Sequence, residues 1–154
     1  MLFRSFSSGF NFESRDMKYW NTYKDLADYG RSKGVALGAY SLLASRRAGD
    51  GTNTKGPTQF GVMPCLGAKW GRDYLDNIVA FSKYAGLACF ENDGSYPGDT
   101  CSATDHPHHR GYEDSQWVMW RTVTKAYQEL RAEGVFLNIP DWYSLSGANK
   151  CMMG

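Results

Sequence analysis

Three times along this chain a helical spacing of apolar residues ends on a glycine, and an apolar run starts at the next position. The three junctions are Lys33-Gly34, Ala85-Gly86 and Glu133-Gly134. Glycine after a last helical turn adopts the left-handed backbone that closes it, so each helix is sent straight back as a strand. Repeated helix–turn–strand units make neighbouring strands parallel, joined by right-handed crossovers. The first helix is predicted over 16–32, with Trp20, Tyr23, Leu26, Ala27 and Gly30 at three- and four-residue steps. The second is predicted over 71–84, with Tyr74, Leu75, Ile78, Val79 and Ser82 inward. Asp114 or Ser115 can cap the third, whose expected inner face is Trp117, Trp120, Val123, Tyr127 and Leu130. The strands are expected over 35–43, 87–92 and 135–139, with Pro140 closing the last.

The connections are asymmetric. The turns entering the strands are short, whereas 44–70 follows the first strand and 93–114 follows the second. Most connections are about 2–6 residues, and much longer ones are commonly functional. In parallel α/β folds the loops after strands form the face that binds ligands. Three β/α units alone would leave two raw sheet edges, and a closed (β/α)8 barrel takes roughly 250 residues. The expected fold class is therefore α/β, parallel β/α units forming a fragment of a (β/α)8 barrel, with 1–154 as a single partial domain. The missing strands are then expected from flanking sequence. A small α/β sandwich of three or four strands is the structural alternative.

Composition narrows the function classes. Seventeen basic and sixteen acidic residues give a net charge of +1, without any run of like charge, so no nucleic-acid partner is expected. The N-terminal MLFRSF lacks the apolar core of a signal peptide, and no window approaches the ~18 apolar residues of a membrane span. A soluble protein without a membrane partner is expected, its compartment open. Aromatic residues reach 15%, which serves a core and equally supplies flat platforms for sugar rings. Cys65, Cys89, Cys101 and Cys151 form no CxxC pair, so no zinc knuckle or redox motif is written locally. Cys89 sits in an apolar run as a buried thiol, and Cys65–Cys101 or Cys101–Cys151 bridges fit an oxidising compartment.

Several residues at strand ends can carry chemistry. Asp93 follows a strand, and alternation puts Glu91 on its side; a carboxylate there can serve as a glycosidase nucleophile, or Asp93-Gly94 can simply make a turn. Tyr96 and Asp99 lie on the polar loop GSYPGD. His106, His108 and His109 are all the histidines of the chain, beside Asp105. Imidazole clusters suggest metal, but adjacent loop histidines rarely converge on one ion. Hydrogen bonding to sugar hydroxyls or ordering of the loop fits His106 and His109 better, and no metal or cofactor is expected. Asp141, Trp142 and Tyr143 follow the third strand, where an acid beside aromatic rings suits a pyranose. Arg46, beside Arg47, can hold a polar substrate group.

The succession GAYS (38–41), a strand ending in END (91–93), and NIPDWY (138–143) resembles the centre of a melibiase-type α-galactosidase barrel. DGSYPGD, HPHH and DSQW are similar to segments of melibiase-like bacterial proteins acting on galactose-containing glycans. The resemblance implies a retaining glycosidase with an oligosaccharide or polysaccharide substrate. It implies Asp93 as nucleophile, with Tyr40, Glu91, Asp141 and Trp142 at the sugar. The family's "KYD" context is here Glu91-Asn92-Asp93, and its general acid comes from a later strand, beyond Gly154. Asp141 as the acid is the second assignment. A sugar-binding protein without turnover and a metal-dependent hydrolase using Asp93, Asp105 and the histidines are the competing classes.

Overall fold

The computed structural model describes residues 2–3, 12–42, 48, 51–57, 63–93 and 99–139. Its elements alternate: β1 (Leu2–Phe3), α1 (Met17–Ser32), β2 (Ala36–Leu42), α2 (Lys69–Ala85), β3 (Cys89–Asp93), α3 (Ser115–Ala132) and β4 (Phe136–Asn138). Spatial order equals chain order, β1-β2-β3-β4, and every pairing is parallel. α1 packs on α2 and α2 on α3. Strand order without reversal, with successive helices side by side, is the winding of a (β/α)8 barrel; a doubly wound sheet reverses its order at a switch point.

The three glycine junctions are built alike. Gly34, Gly86 and Gly134 have φ of 72°, 66° and 80°. The next amide in each case reaches back to close the helix, with Val35 to Gly30 at 2.8 Å, Leu87 to Ser82 at 3.0 Å and Val135 to Leu130 at 3.0 Å. These are Schellman closures, and β2, β3 and β4 follow within two or three residues of them. At the other end of α1, Asp16 accepts from the Lys18 amide at 2.9 Å, satisfying one of the orphan donors of the first turn.

The core lies between the helices and one face of the sheet. Phe12 sits at its centre, edge-on to Tyr74, Phe81 and Phe90 at 6.1, 5.7 and 5.8 Å. α1 contributes Ala27 in full and Tyr19, Trp20 and Tyr23 in part; Leu26, expected inward, is 48% exposed. α3 buries Met119, Thr122, Val123, Ala126, Tyr127 and Leu130. Trp117, expected on that face, is 58% exposed and stacks on Trp120 at 4.8 Å. The helix is rotated so that Met119 meets the core where Trp117 does not, while Trp120 packs against the core in part and carries the Trp117 ring on its outer side.

The strand boundaries differ from expectation: β2 and β4 are each shorter by one residue at both ends. β1 was not expected, and it pairs Leu2 with Ala36 and Phe3 with Leu37. β3 starts later and extends through Asp93, which pairs with Leu42; Asp93 ends the strand and does not follow it. Cys89 is half-buried on the face of β3 turned from the helices, because alternation gives the helix side to Phe90 and Asn92. Among the described residues no helix is long and apolar enough to cross a membrane.

Candidate active site

Strand alternation divides the side chains. Leu37, Ala39 and Ser41 face the helices, as Ser41 Oγ shows by meeting Tyr74 Oη of α2 at 2.8 Å. Asn92 does the same from β3, donating to Tyr127 Oη of α3 at 2.7 Å. The opposite face therefore receives Tyr40 from β2 and Glu91 and Asp93 from β3. Register places Tyr40 beside Glu91, and Glu91 beside Asn138 of β4, as one row across three strands. Asp93 stands one step further toward the C-terminal ends, beside Leu42. There Tyr40 Oη donates to Asp93 Oδ2 at 2.7 Å. Rows of side chains pointing inward from successive strands are how a β/α barrel fills its interior.

The Tyr40–Asp93 hydrogen bond fixes one carboxylate oxygen. Glu91 is buried one row below. This sheet face thus holds two carboxylates, a phenol and an amide within two rows, at the ends of strands where the long loops begin. Arg46, Tyr96, Asp141 and Trp142 lie outside the described residues, and Asp99 is buried at the resumption of the second loop.

The two long loops are knitted to each other. Lys55 Nζ bonds Asp105 Oδ1 at 2.9 Å, and the Ser102 amide reaches Lys55 O at 2.7 Å. The His108 amide donates to Gly67 O at 3.1 Å. An antiparallel bridge between Asn53 and Pro64 pins the base of the first loop. The Lys55 ammonium holds the Asp105 carboxyl below its ordinary range.

The histidines separate. His108 lies on the outer side with Arg72, between α2 and α3; partial burial and the Arg72 charge keep its pKa low. His106 and His109 turn inward and meet Cys65 and Cys101, all four buried. His109 Nε2 is 3.3 Å from Cys65 Sγ and 3.2 Å from His106 Nδ1. His106 Nδ1 is 3.5 Å from Cys101 Sγ. Cys65, Cys89 and Cys101 are free thiols. The hydrogen bond between Cys65 and Cys101 lowers the Cys101 pKa and raises that of Cys65, with burial adding to the rise. Neither Asp93 nor Asp105 belongs to this cluster: Asp105 is in solvent with Lys55, and Asp93 is on the sheet with Tyr40. The two cysteines were not paired with the histidines by sequence reading. The spacing Cys101-x4-His106-x2-His109 was the available signal; Cys65 had none.

No protein-family model and no curated protein matches the sequence. Solved structures do match. The ligand-free alpha-N-acetylgalactosaminidase NagBb from Bifidobacterium bifidum superposes with a TM-score of 0.53 at 20% identity. That match covers 78% of this chain and 22% of the other. The same enzyme in complex with GalNAc gives a TM-score of 0.52, at 20% identity over 78% and 21% of the two chains. The likeness is one of fold. This chain spans about a fifth of the NagBb chain. A variant of a Glycoside Hydrolase Family 97 enzyme from Pseudoalteromonas sp. strain K8 also matches, with a TM-score of 0.44 at 8% identity, over 76% of this chain and 15% of that one. The chain is an α/β run of parallel β/α units, of the barrel type on which such enzymes are built.

Proposed function

We propose that this chain carries part of the active centre of a glycoside hydrolase, with Asp93 as the nucleophile of a retaining, two-carboxylate reaction on α-galactoside-type glycans. One observation carries the reading. Asp93 ends β3 on the sheet face turned from the helices, with one oxygen held by Tyr40 at 2.7 Å. Carboxylates at the C-terminal ends of barrel strands are where such folds place their chemistry. The motifs GAYS, END and PDWY, similar to those of melibiase-type enzymes, and the NagBb-like fold support the same class.

In this reaction an Asp93 carboxylate oxygen attacks the anomeric carbon while the glycosidic C–O bond breaks. The departing oxygen takes its proton from a second carboxylic acid. Water then attacks the glycosyl–Asp93 ester, gives a proton to the same second group, and frees Asp93. Asp141 is a candidate for that second group, and a later strand of the parent protein is the other. Tyr40 positions the nucleophile, and Glu91 and Asn138 in the adjoining row offer hydrogen bonds to sugar hydroxyls, with Trp142 as the platform.

The test uses a protein containing the whole barrel, with aryl α-galactosides and aryl α-N-acetylgalactosaminides as substrates. Asp93→Asn is expected to lower turnover by about 10³-fold or more while sugar affinity persists. Unchanged hydrolysis in that variant would remove Asp93 from the reaction. Sugar affinity without turnover in the unsubstituted protein would instead identify a binding protein.

A further inference from the structure

Four buried ligand-capable side chains converge between the two long loops, and nothing in the proposed sugar chemistry uses them. We propose that Cys65, Cys101, His106 and His109 form a structural zinc site that staples the loop after β2 to the loop after β3.

Geometry carries the proposal. Tetrahedral zinc with Zn–S near 2.3 Å and Zn–N near 2.05 Å requires ligand separations of roughly 3.3 Å for N···N and roughly 3.5 Å for N···S. The protein shows 3.2 Å between His106 Nδ1 and His109 Nε2. It shows 3.3 Å from Cys65 to His109 and 3.5 Å from Cys101 to His106. All four ligand atoms lie within 4.8 Å of one another. Three of the six edges of such a tetrahedron are thus already in place.

The surroundings prepare the same atoms. His106 Nε2 lies 2.9 Å from the Gly51 carbonyl; a carbonyl only accepts, so Nε2 carries the proton and Nδ1 turns a lone pair into the cluster. Fixing a ligating histidine through its other nitrogen is the usual outer-shell arrangement. The Lys55 amide donates to Cys101 Sγ at 3.4 Å, holding that sulfur toward the cluster. Gly67 leaves room for the His109 ring, which a Cβ at that position would strike.

The donor set selects the ion. Two sulfurs and two imidazole nitrogens in tetrahedral array suit zinc, and hard oxygen-seeking cations are disfavoured. Four protein ligands leave no open position for water, so the site is structural and not hydrolytic. Zinc takes both cysteines as thiolates, any thiol proton passing to solvent. Zinc would then hold Cys65, in the loop after β2, against Cys101, His106 and His109, in the loop after β3.

The experiment is metal analysis of the full chain purified without chelator, followed by cobalt exchange. Near one zinc per chain is expected. Cobalt should give a thiolate charge-transfer band and the intense visible bands of four-coordinate Co²⁺. Cys65→Ser and His109→Gln should each lower bound zinc at least tenfold, whereas Cys89→Ser, outside the cluster, should leave it unchanged. The cobalt spectrum of the unsubstituted protein decides the matter if the variants fail to fold. Protein that neither carries nor takes up zinc, a six-coordinate cobalt spectrum, or a Cys65–Cys101 disulfide found by mass spectrometry would each overturn the site. Metal content is read without any glycoside, so this result and that of the Asp93 assay stand apart.

Discussion

Tyr40 and Asp93 are 53 positions apart in the chain, yet the phenol donates to the carboxylate at 2.7 Å. The contact exists because β2 and β3 pair in parallel with Tyr40 beside Glu91, one row below Asp93. Tyr40→Phe keeps the ring and deletes the donor. A hydrogen bond to a charged group contributes about 1.5–3 kcal/mol, so turnover in the barrel-containing protein should fall roughly 10- to 100-fold. With Asp93 as the proposed nucleophile, the loss should appear in kcat more than in KM, because the phenol holds that carboxylate and not the sugar. Steady-state kinetics on an aryl glycoside checks it, and an unchanged kcat would remove Tyr40 from the positioning role.

Asn92 is fully buried and donates to Tyr127 Oη at 2.7 Å. The bond ties β3 to α3. Tyr127→Phe removes the acceptor and leaves a buried amide donor to find another, which costs about 1–3 kcal/mol. Chemical denaturation should show that loss as a lower midpoint with the same denaturant slope.

Gly71, in the first turn of α2, has no room for a side chain. A Cβ there would stand 2.5 Å from Leu66 Cα and 2.9 Å from Cys65 O, both backbone atoms. Helix propensity alone would make Gly71→Ala stabilising by about 1 kcal/mol. The clash should outweigh it and give a net loss of about 1–3 kcal/mol. A raised melting temperature in that variant would contradict the packing described.

Asp28 accepts from Lys24 Nζ at 2.7 Å and is also bonded by Arg31, which reaches on to the Gly86 carbonyl at 2.7 Å. The Lys24 bond, then the Arg31 bond, hold the Asp28 carboxyl below its ordinary value. A depressed carboxylate contributes stability that is present above the unfolded value, about 3.9, and is lost as pH falls through the folded value. Asp28→Asn should therefore lower the melting temperature slightly near neutral pH, and the two proteins should converge in acid. The pair is solvent-exposed, so the effect is small and salt-sensitive. Melting curves across the acid range measure it.

Phe12 is wedged among Tyr74, Phe81 and Phe90. Its carbonyl also accepts from Asn77 Nδ2, and the side chain is 1% exposed. Phe12→Ala should cost about 3–5 kcal/mol, enough to threaten folding of a domain of ordinary stability. Thermal unfolding of the variant provides the comparison.

The alternation of elements was legible because its causes are local. A 3.6-residue apolar spacing, a glycine with positive φ and an apolar run act within a few residues, so α1, α2, α3 and the presence of β2, β3 and β4 could be read from the chain, though not the residue at which each strand begins. The same alternation implied parallel strands and the C-terminal face of the sheet, and it placed Glu91 and Asp93 on one side of β3. What the local pattern left open was rotation and register. Trp117 satisfies a helical spacing as well as Met119 does, and only the position of the sheet beneath α3 exposes one and buries the other. Tyr40 meets Asp93 only at the register that β2 and β3 adopt, since a slip of one residue would turn the strand's faces over. Cys65 and His109, 44 positions apart, are joined by two long loops with no periodicity of their own. Their meeting is set by where the crossovers deliver those loops, a property of the packed units and not of any segment.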